Sequence, residues 1–173
     1  MIRSMTALAV AALIGVTAIS AQAKPGAPAS TTADQLMIQG LMARYEWALD
    51  AGDAKAYAAL FAEDGKLVSS IGEQDGRAAI QKAIEDLVRR FAASASSGEP
   101  PKIQHVLSNL VIEQHGDTAD TKSFWTEIWN PTGKAMGVRA AGHYEDKLVK
   151  RDGKWWFARR QIFDDFPTPP LKP

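Results

Sequence analysis

Residues 102–130 read KIQHVLSNLVIEQHGDTADTKSFWTEIWN, and this stretch decides the fold. It contains two runs that are rich in β-branched and aromatic residues, Ile103 to Glu113 and Thr118 to Asn130. Between them stands Gly116-Asp117, a pair of residues that favours a tight turn. The stretch therefore predicts two long antiparallel strands joined by a hairpin.

Two further runs of the same composition follow, Ala135 to Lys150 and Lys154 to Phe163. Pro131-Thr-Gly133 precedes the first of them and Asp152-Gly153 separates the two, so both junctions have the residues of a turn. We expect the whole segment from residue 103 onward to form an antiparallel meander.

The segment before residue 95 has the spacing of helices. Apolar residues recur at helical intervals after Asp34, which we expect to cap a long first helix that ends near Gly52. Asp53 predicts the start of a short second helix, and a third helix follows Gly76. Other expected features are Tyr57, Leu60 and Phe61 on the second helix, a turn at Glu63-Asp64-Gly65, a brief strand from Lys66 to Ser70 and a loop from Ala95 to Pro101. Helices that precede an antiparallel sheet predict an α+β fold.

The chain of 173 residues is 46% hydrophobic and 23% charged, which suits one compact domain. We place that domain at residues 34–163. Residues 1–23 have the pattern of a signal peptide, with a basic start, an apolar run and Ala21-Gln-Ala23 as the cleavage site. Residues 24–33 are expected to be a flexible linker, and 164–173 a proline-rich tail. We therefore expect a periplasmic or secreted protein with no stable membrane span after cleavage.

Charge and cysteine content narrow the possible functions. Twenty basic and twenty acidic residues cancel, which argues against a protein that binds nucleic acid. The chain has no cysteine, which excludes disulfides and lipid attachment to cysteine. The histidines, His105, His115 and His143, lack the spacing of metal ligands, and no glycine loop of the phosphate-binding kind occurs. We expect no metal and no cofactor, so any chemistry must come from ordinary side chains.

Asp50 and His105 are the residues best suited to acid–base chemistry. Asp50 falls in the last turn of the first helix, where the helix dipole disfavours a negative charge, so a protonatable partner would compensate it. His105 falls on a predicted strand, where alternation places it on one face with Leu107, Asn109 and Val111. This mixed face is typical of a pocket lining, but a half-exposed strand fits it as well. Helical spacing also directs Asp50 to the edge of the apolar stripe, so spacing alone does not decide for a dyad.

Aromatic residues suggest further members of a site. Tyr45 lies in the apolar stripe of the first helix, and a buried tyrosine hydroxyl needs a polar partner, so it could donate to a substrate oxygen. Trp125, Glu127 and Trp129 share one face of a predicted strand. Two tryptophans beside a glutamate suit the wall of a pocket for an aromatic substrate, although aromatic residues at this spacing more often belong to a core.

Six stretches follow one another in the order of a known family. They are Tyr45-Glu-Trp-Ala-Leu-Asp50-Ala-Gly-Asp53, Leu60-Phe-Ala-Glu-Asp-Gly65, Gly76-Arg-Ala-Ala-Ile80, His105-x-x-x-Asn109, Gly142-His-Tyr-Glu-Asp-Lys-Leu148 and Asp152-Gly-Lys-Trp155. Together they resemble the SnoaL-like branch of the nuclear transport factor 2-like superfamily over residues 34–163. The resemblance implies a cone-shaped, curved antiparallel sheet packed on three N-terminal helices around one internal pocket, the nuclear transport factor 2-like or cystatin-like fold.

Within that superfamily the chain most resembles lyases such as scytalone dehydratase and lindane dehydrochlorinase. The resemblance implies that Asp50 and His105 form a catalytic dyad in which His105 removes a proton from carbon. It implies a cofactor-independent lyase that eliminates water, a halide or a small carbon fragment from a small hydrophobic, aromatic molecule. Tyr45 and His143 are candidates to assist the leaving group, and Asn109 matches an asparagine of those enzymes. The candidate substrate-binding residues are Asn109, Trp125, Trp129 and His143.

Two other functions remain open at this point. The first is a non-catalytic periplasmic protein that binds a small hydrophobic ligand. The second is a structural domain that dimerises through its open sheet, with the pocket filled by its own side chains. Because many members of the superfamily assemble through that sheet, we expect a homodimer or homotrimer.

Overall fold

The computed structural model describes residues 31–93, 102–130 and 135–166. Its elements in chain order are α1 (Thr32–Asp50), α2 (Ala54–Ala58), β1 (Phe61–Ser69), β2 (Gly72–Asp75), α3 (Arg77–Ala93), β3 (Lys102–His115), β4 (Thr118–Asn130), β5 (Gly137–Arg151) and β6 (Lys154–Asp164). Within these ranges no helix is long and apolar enough to cross a membrane.

The six strands form one open sheet in the order β2-β1-β6-β5-β4-β3. Strands β3 to β6 pair antiparallel in sequence order, as the meander predicts. The pairing of β1 with β6 is parallel, so the sheet is mixed rather than wholly antiparallel. The long stretch of chain between β1 and β6 permits this pairing, whereas a hairpin would force the strands to be antiparallel. The predicted α+β class is confirmed.

The start of α1 differs from the prediction at its cap. Thr31 is the N-cap residue, and its hydroxyl accepts from the backbone N–H of Asp34 at 3.1 Å. The Asp34 side chain instead turns inward, where four groups donate to it. They are Thr31 Oγ1 at 2.9 Å, Gln114 Nε2 at 3.2 Å, Trp155 Nε1 at 2.8 Å and Lys150 Nζ at 2.7 Å. Lys150 and then Trp155 contribute most to holding the pKa of Asp34 well below its usual value. Asp34 therefore ties α1 to β3, β5 and β6.

The chain between α2 and β1 also departs from the prediction. Helix α2 ends before Leu60 and Phe61, which the spacing had assigned to it. The predicted turn at Glu63-Asp64-Gly65 is wrong, because these residues lie within β1. A Cβ on Gly65 would lie 2.8 Å from the carbonyl oxygen of Phe157, so glycine allows a close approach of β1 to β6 here.

The core lies between the helices and one face of the sheet, and its centre is a charged group. The guanidinium of Arg160 is completely buried among aromatic rings. Its central carbon lies 3.9 Å from the ring centre of Tyr45, 4.0 Å from Tyr144 and 4.2 Å from Phe157. Asp146 balances the charge by accepting two hydrogen bonds of 2.7 Å from this guanidinium. Arg160 therefore packs as an aromatic-stacked cation with one carboxylate partner.

Strand β3 changes the face it presents to the core at Asn109. This residue has a φ of 52°, and the register between β3 and β4 shifts beside it. Before the bulge His105 and Leu107 point inward, whereas beyond it the residues of opposite parity do. The prediction that Asn109 and Val111 share the face of His105 is therefore wrong, because the extra residue in a bulge reverses the alternation. Both residues are exposed.

Several predictions fall outside the described residues. They are the signal peptide at 1–23, most of the linker at 24–33, the loop at 95–101, the turn at 131–133 and the tail beyond residue 166.

Candidate active site

The end of α1 lies beside β3, the edge strand of the sheet, and this contact brings Asp50 to His105. An edge strand has a row of backbone N–H groups without a neighbouring strand. The N–H of His105 donates to both Asp50 oxygens, at 3.1 and 3.0 Å. The ring adds a third contact, since Nδ1 of His105 lies 2.6 Å from Oδ1 of Asp50. Asp50 thus has compensating donors at the negative end of the helix dipole.

Acidic side chains surround the ring of His105, whose side chain is only 11% exposed. Its Nε2 lies 3.9 Å from Oε2 of Glu127, and its ring centre lies 6.3 Å from that of Trp125. Burial lowers the pKa of His105, but the hydrogen bond with Asp50 and the negative charges of Glu46, Asp50 and Glu127 outweigh it. The pKa of His105 therefore lies above its ordinary value, and this ring accepts a proton more readily than a histidine in water.

Glu127 is a buried carboxylate with a cationic partner. Arg139 donates to it twice, from Nε to Oε1 and from Nη2 to Oε2 at 2.7 Å. The guanidinium of Arg139 also lies 5.0 Å from the ring centre of Trp129 and 5.3 Å from that of Phe91. Both oxygens of Glu127 therefore have a donor on one cationic side chain, the bidentate arrangement that fixes a carboxylate in position. Trp129 contacts this arginine and is not among the residues that line the groove beside the site.

Glu46 is the exception among the acids of this region. It is 6% exposed, and within the described part of the chain neither of its carboxyl oxygens has a hydrogen-bond partner. Burial raises the pKa of Glu46, and this outweighs the nearby positive charges of Arg160 and His105. Glu46 precedes Asp50 by one helical turn, so the two side chains lie on the same face of α1.

A groove with a volume of about 520 Å³ opens beside these residues. Its walls include Glu46, Asp50 and His105 as polar groups and Trp47, Ile103 and Met136 as apolar ones. Trp47 is 77% exposed, so its indole is available to a molecule in the groove. Apolar walls with a few converging polar groups are typical of small-molecule sites of this size.

Tyr45 is positioned differently from what a catalytic role would need. Its side chain is fully buried, and its hydroxyl forms a hydrogen bond with the hydroxyl of Tyr57. Burial raises the pKa of Tyr45 to about 12, so the phenol stays protonated. Its ring packs against Arg160 in the core. Tyr45 is therefore a core residue that packs behind the site and does not line the groove.

Two predicted site residues do not join the others. Asn109 lies exposed at the bulge of β3. His143 lies on the outer face of β5, because its neighbour Tyr144 occupies the core face. There Nδ1 of His143 lies 2.8 Å from the carboxylate of Asp165, and the ring stacks on Phe163 with centres 4.4 Å apart. The structure brings Asp50, His105 and Trp125 together and leaves Asn109 and His143 elsewhere.

Two residues of the site escaped the sequence interpretation. Glu46 had a usable signal, since it precedes Asp50 by four positions and two acids on one helix face need separate compensation. Arg139 had none, because its bond to Glu127 depends on the pairing of β4 with β5, which places Glu127 opposite Ala140. Sequence spacing along one strand carries no information about that register.

Comparison with protein-family models gives one result. The model of the SnoaL-like domain matches residues 30–161. No protein with a curated function matches the chain at a significant level.

Solved structures share the fold. A protein of unknown function with a cystatin-like fold from Nostoc punctiforme is 29% identical, covers 80% of this chain and 96% of its own, and has a TM-score of 0.69. A protein from Novosphingobium aromaticivorans proposed to be a scytalone dehydratase is 26% identical, with coverages of 82% and 93% and a TM-score of 0.64. A protein of unknown function from Mycobacterium tuberculosis is 27% identical, with coverages of 77% and 72% and a TM-score of 0.66.

The expected fold is therefore confirmed from two directions. The family model spans most of the chain, and the similar structures include proteins described as cystatin-like or nuclear transport factor 2-like. The chain belongs to the SnoaL-like domain family, within the superfamily of nuclear transport factor 2-like proteins.

Proposed function

We propose that the protein is a cofactor-independent lyase with His105 as its base and Asp50 as the partner that orients it. The observation that supports this most directly is the contact of 2.6 Å between Nδ1 of His105 and Oδ1 of Asp50 beside an open groove. SnoaL-like proteins include polyketide cyclases and dehydratases, which is consistent with such chemistry.

The geometry supports a definite division of roles. A carboxylate at Nδ1 favours the tautomer in which that nitrogen carries the proton, so Nε2 keeps a free lone pair. Nε2 then takes a proton from a substrate carbon, and the electrons of the broken C–H bond form a double bond as the leaving group departs. Asp50 and Glu127 stabilise the imidazolium that results, since both carboxylates adjoin the ring.

The groove supports a small hydrophobic, aromatic substrate. Its volume of about 520 Å³ suits a molecule of one or two rings. Trp47 offers an exposed aromatic face at the rim, and Trp125 lies behind the ring of His105. The exposed indole of Trp47 favours a planar ligand through stacking.

Histidine titration by NMR tests the pairing of the two residues. In the Asp50→Asn variant we expect the pKa of His105 to fall by about one unit, because the variant removes a negative charge that favours the imidazolium. One pKa unit corresponds to about 1.4 kcal/mol of interaction between the two residues. His143 provides a matched control, since it pairs with Asp165 on the outer face and its ring signals should be the same in both proteins. An equal His105 pKa in both proteins would contradict the assignment.

Turnover is tested by a screen of small aromatic compounds that can eliminate water or a halide. For a compound that the wild type converts, Asp50→Asn should lower kcat by about 10³-fold or more, because Asp50 then no longer holds the proton of His105 on Nδ1. No elimination by the wild-type protein, together with ligand binding that His105→Ala leaves unchanged, would favour the alternative of a non-catalytic small-ligand-binding protein. The groove by itself is compatible with that alternative.

We also propose a homodimer or homotrimer assembled through the outer face of the sheet. Val106, Phe124 and Val138 lie on that face and are 41%, 51% and 70% exposed. Large apolar residues exposed to this extent on one face of a sheet favour an interface. Light scattering should give a multiple of the protomer mass for the wild type and the protomer mass for Phe124→Lys.

A periplasmic or secreted location completes the proposal. It rests on the pattern of a signal peptide at residues 1–23. Mass spectrometry of the protein from the producing cells should give a mature chain that begins near Lys24, whereas an intact chain starting at Met1 would contradict this location.

A further inference from the structure

We propose that Glu46 is the acid of this site and protonates a leaving oxygen, so that the substrate is a hydroxyl compound that loses water. This inference rests on the lyase proposed above and goes beyond it, because it chooses among the possible leaving groups. It also assigns a role to a residue that the sequence interpretation passed over.

The first support is that the carboxyl of Glu46 has no hydrogen-bond donor in the part of the chain that the structure describes. The other acids near it each have partners: Asp50 has His105, Glu127 has Arg139 and Asp146 has Arg160. Glu46 is only 6% exposed, and no group in the described residues donates to its oxygens. A buried carboxyl without donors is more stable in its neutral form, which has a proton to give.

The second support is its location. Glu46 lies one helical turn before Asp50 on the same face of α1, and both line the groove that His105 also lines. A substrate carbon placed at Nε2 of His105 therefore has the Glu46 carboxyl on the α1 side of the same groove. The base and the acid approach one molecule from two elements, the strand β3 and the helix α1.

The third support is the contrast with Glu127. Both glutamates are buried near His105, but Glu127 accepts hydrogen bonds from Arg139, whereas Glu46 accepts none among the described residues. The charges that act on Glu46 are the positive Arg160 and His105 and the negative Asp50 and Asp146. These oppose one another, and burial outweighs them in raising the pKa of Glu46. Two buried glutamates with such different partners are suited to different roles, one as acid and one as charge stabiliser.

The reaction balances with these two groups. Nε2 of His105 takes the proton from a carbon next to an electron-withdrawing group, and the C–H electrons become the new C=C bond. The adjacent C–O bond breaks, and its oxygen takes the proton of Glu46 and leaves as water. The protein is left with an imidazolium and a carboxylate, and proton exchange through groove water returns it to its starting state.

The nature of the leaving group follows from this acid. A halide departs as a stable anion and needs no proton, whereas hydroxide is a poor leaving group until it is protonated. A carboxyl kept neutral beside the base is therefore of use in a dehydration and of little use in a dehydrohalogenation. Among the eliminations open to the lyase, the structure assigns loss of water.

The first test reads the protonation of Glu46 without any substrate. Infrared spectra at neutral pH should show a protonated-carboxyl band in the wild type that is missing in Glu46→Gln. Glu145→Gln is the matched control, because Glu145 lies 41% exposed beside Lys122 and should leave the band intact. A wild-type spectrum without the band overturns the proposal.

The second test compares two compounds that differ only in the leaving group, a hydroxyl and a chloride on the same aromatic skeleton. Glu46→Gln should lower the ratio of the two kcat/KM values, hydroxyl over chloride, by about 100-fold, the usual worth of a general acid. An unchanged ratio overturns the proposal. If the wild type eliminates neither group, the proposed lyase and the proposed role of Glu46 are both wrong. If the wild type is a lyase but lacks the infrared band, only the role of Glu46 is wrong.

Discussion

Each end of α1 carries a buried acidic side chain, and the two side chains differ in their hydrogen-bond partners. At the first turn, Asp34 accepts hydrogen bonds from four groups on the preceding cap and on three strands. One turn before the last residue, Glu46 is equally buried and accepts none among the described residues. The pKa of Asp34 is lowered and that of Glu46 is raised.

This difference separates acids that hold the fold together from an acid that holds no other element by a hydrogen bond among the described residues. A buried carboxylate with every oxygen satisfied favours one arrangement of the elements around it. A buried carboxyl without donors costs stability, and such a cost persists where the group has another use. Asp146, in the middle of the core, is an acid of the same kind as Asp34, because both of its oxygens accept hydrogen bonds from Arg160.

The largest effect on stability is expected where a satisfied pair is broken. Asp146→Asn leaves the fully buried Arg160 without a counter-charge, so the free energy of unfolding should fall by about 3–5 kcal/mol. Urea denaturation measures the change. The exposed pair of Lys122 and Glu145 is the control, and Glu145→Gln should cost less than about 1 kcal/mol. Equal effects would end the distinction between the two kinds of acid.

Asp34→Asn should have the next largest effect. The amide keeps the shape of the carboxylate but loses its charge, so Lys150 and Trp155 lose much of what they bind. We expect the midpoint of thermal unfolding to fall by several degrees, measured by circular dichroism. An unchanged midpoint would mean that the first turn of α1 does not depend on this anchor.

Glu46→Met should change stability in the opposite direction. The thioether fills a similar volume and needs no donor, so the free energy of unfolding should rise by about 1 kcal/mol while any dehydration is lost. Denaturation at neutral pH measures the rise. A loss of stability would show that Glu46 has a structural partner and would blur the contrast with Asp34.

The smallest effect is on the pH dependence of stability. The pKa values of Glu46 and His105 are both raised in the folded protein, so the folded state holds more protons than the unfolded chain between the two pKa values of each group. Stability should therefore fall as pH rises from the ordinary values of 4.5 and 6.5 through the raised ones. Glu46→Met should remove the lower part of this fall, and Asp50→Asn should reduce the upper part.

Sequence reasoning reached the fold class from local patterns, whereas the pairing of Asp50 with His105 came from the family resemblance, because helical spacing directs Asp50 only to the edge of the apolar stripe. Helix ends and strand composition are visible along the chain, and the helix dipole indicates that Asp50 needs a partner. The placement of Asn109 could not be predicted, because nothing in HVLSN marks the extra residue of a bulge. The pairing of Glu127 with Arg139 depends on strand register, and whether Glu46 meets a donor among the described residues depends on the tertiary packing around it.

The bulge at Asn109 divides β3 into two parts. Residues on its two sides follow opposite parity, so the half that carries His105 and the half that carries Gln114 are out of phase. Deleting one residue there would restore a single phase and turn one half inside out, exposing either the histidine or the anchor of Asp34. The bulge thus lets one strand serve two places: the part with His105 lines the groove, and the part with Gln114 donates to Asp34.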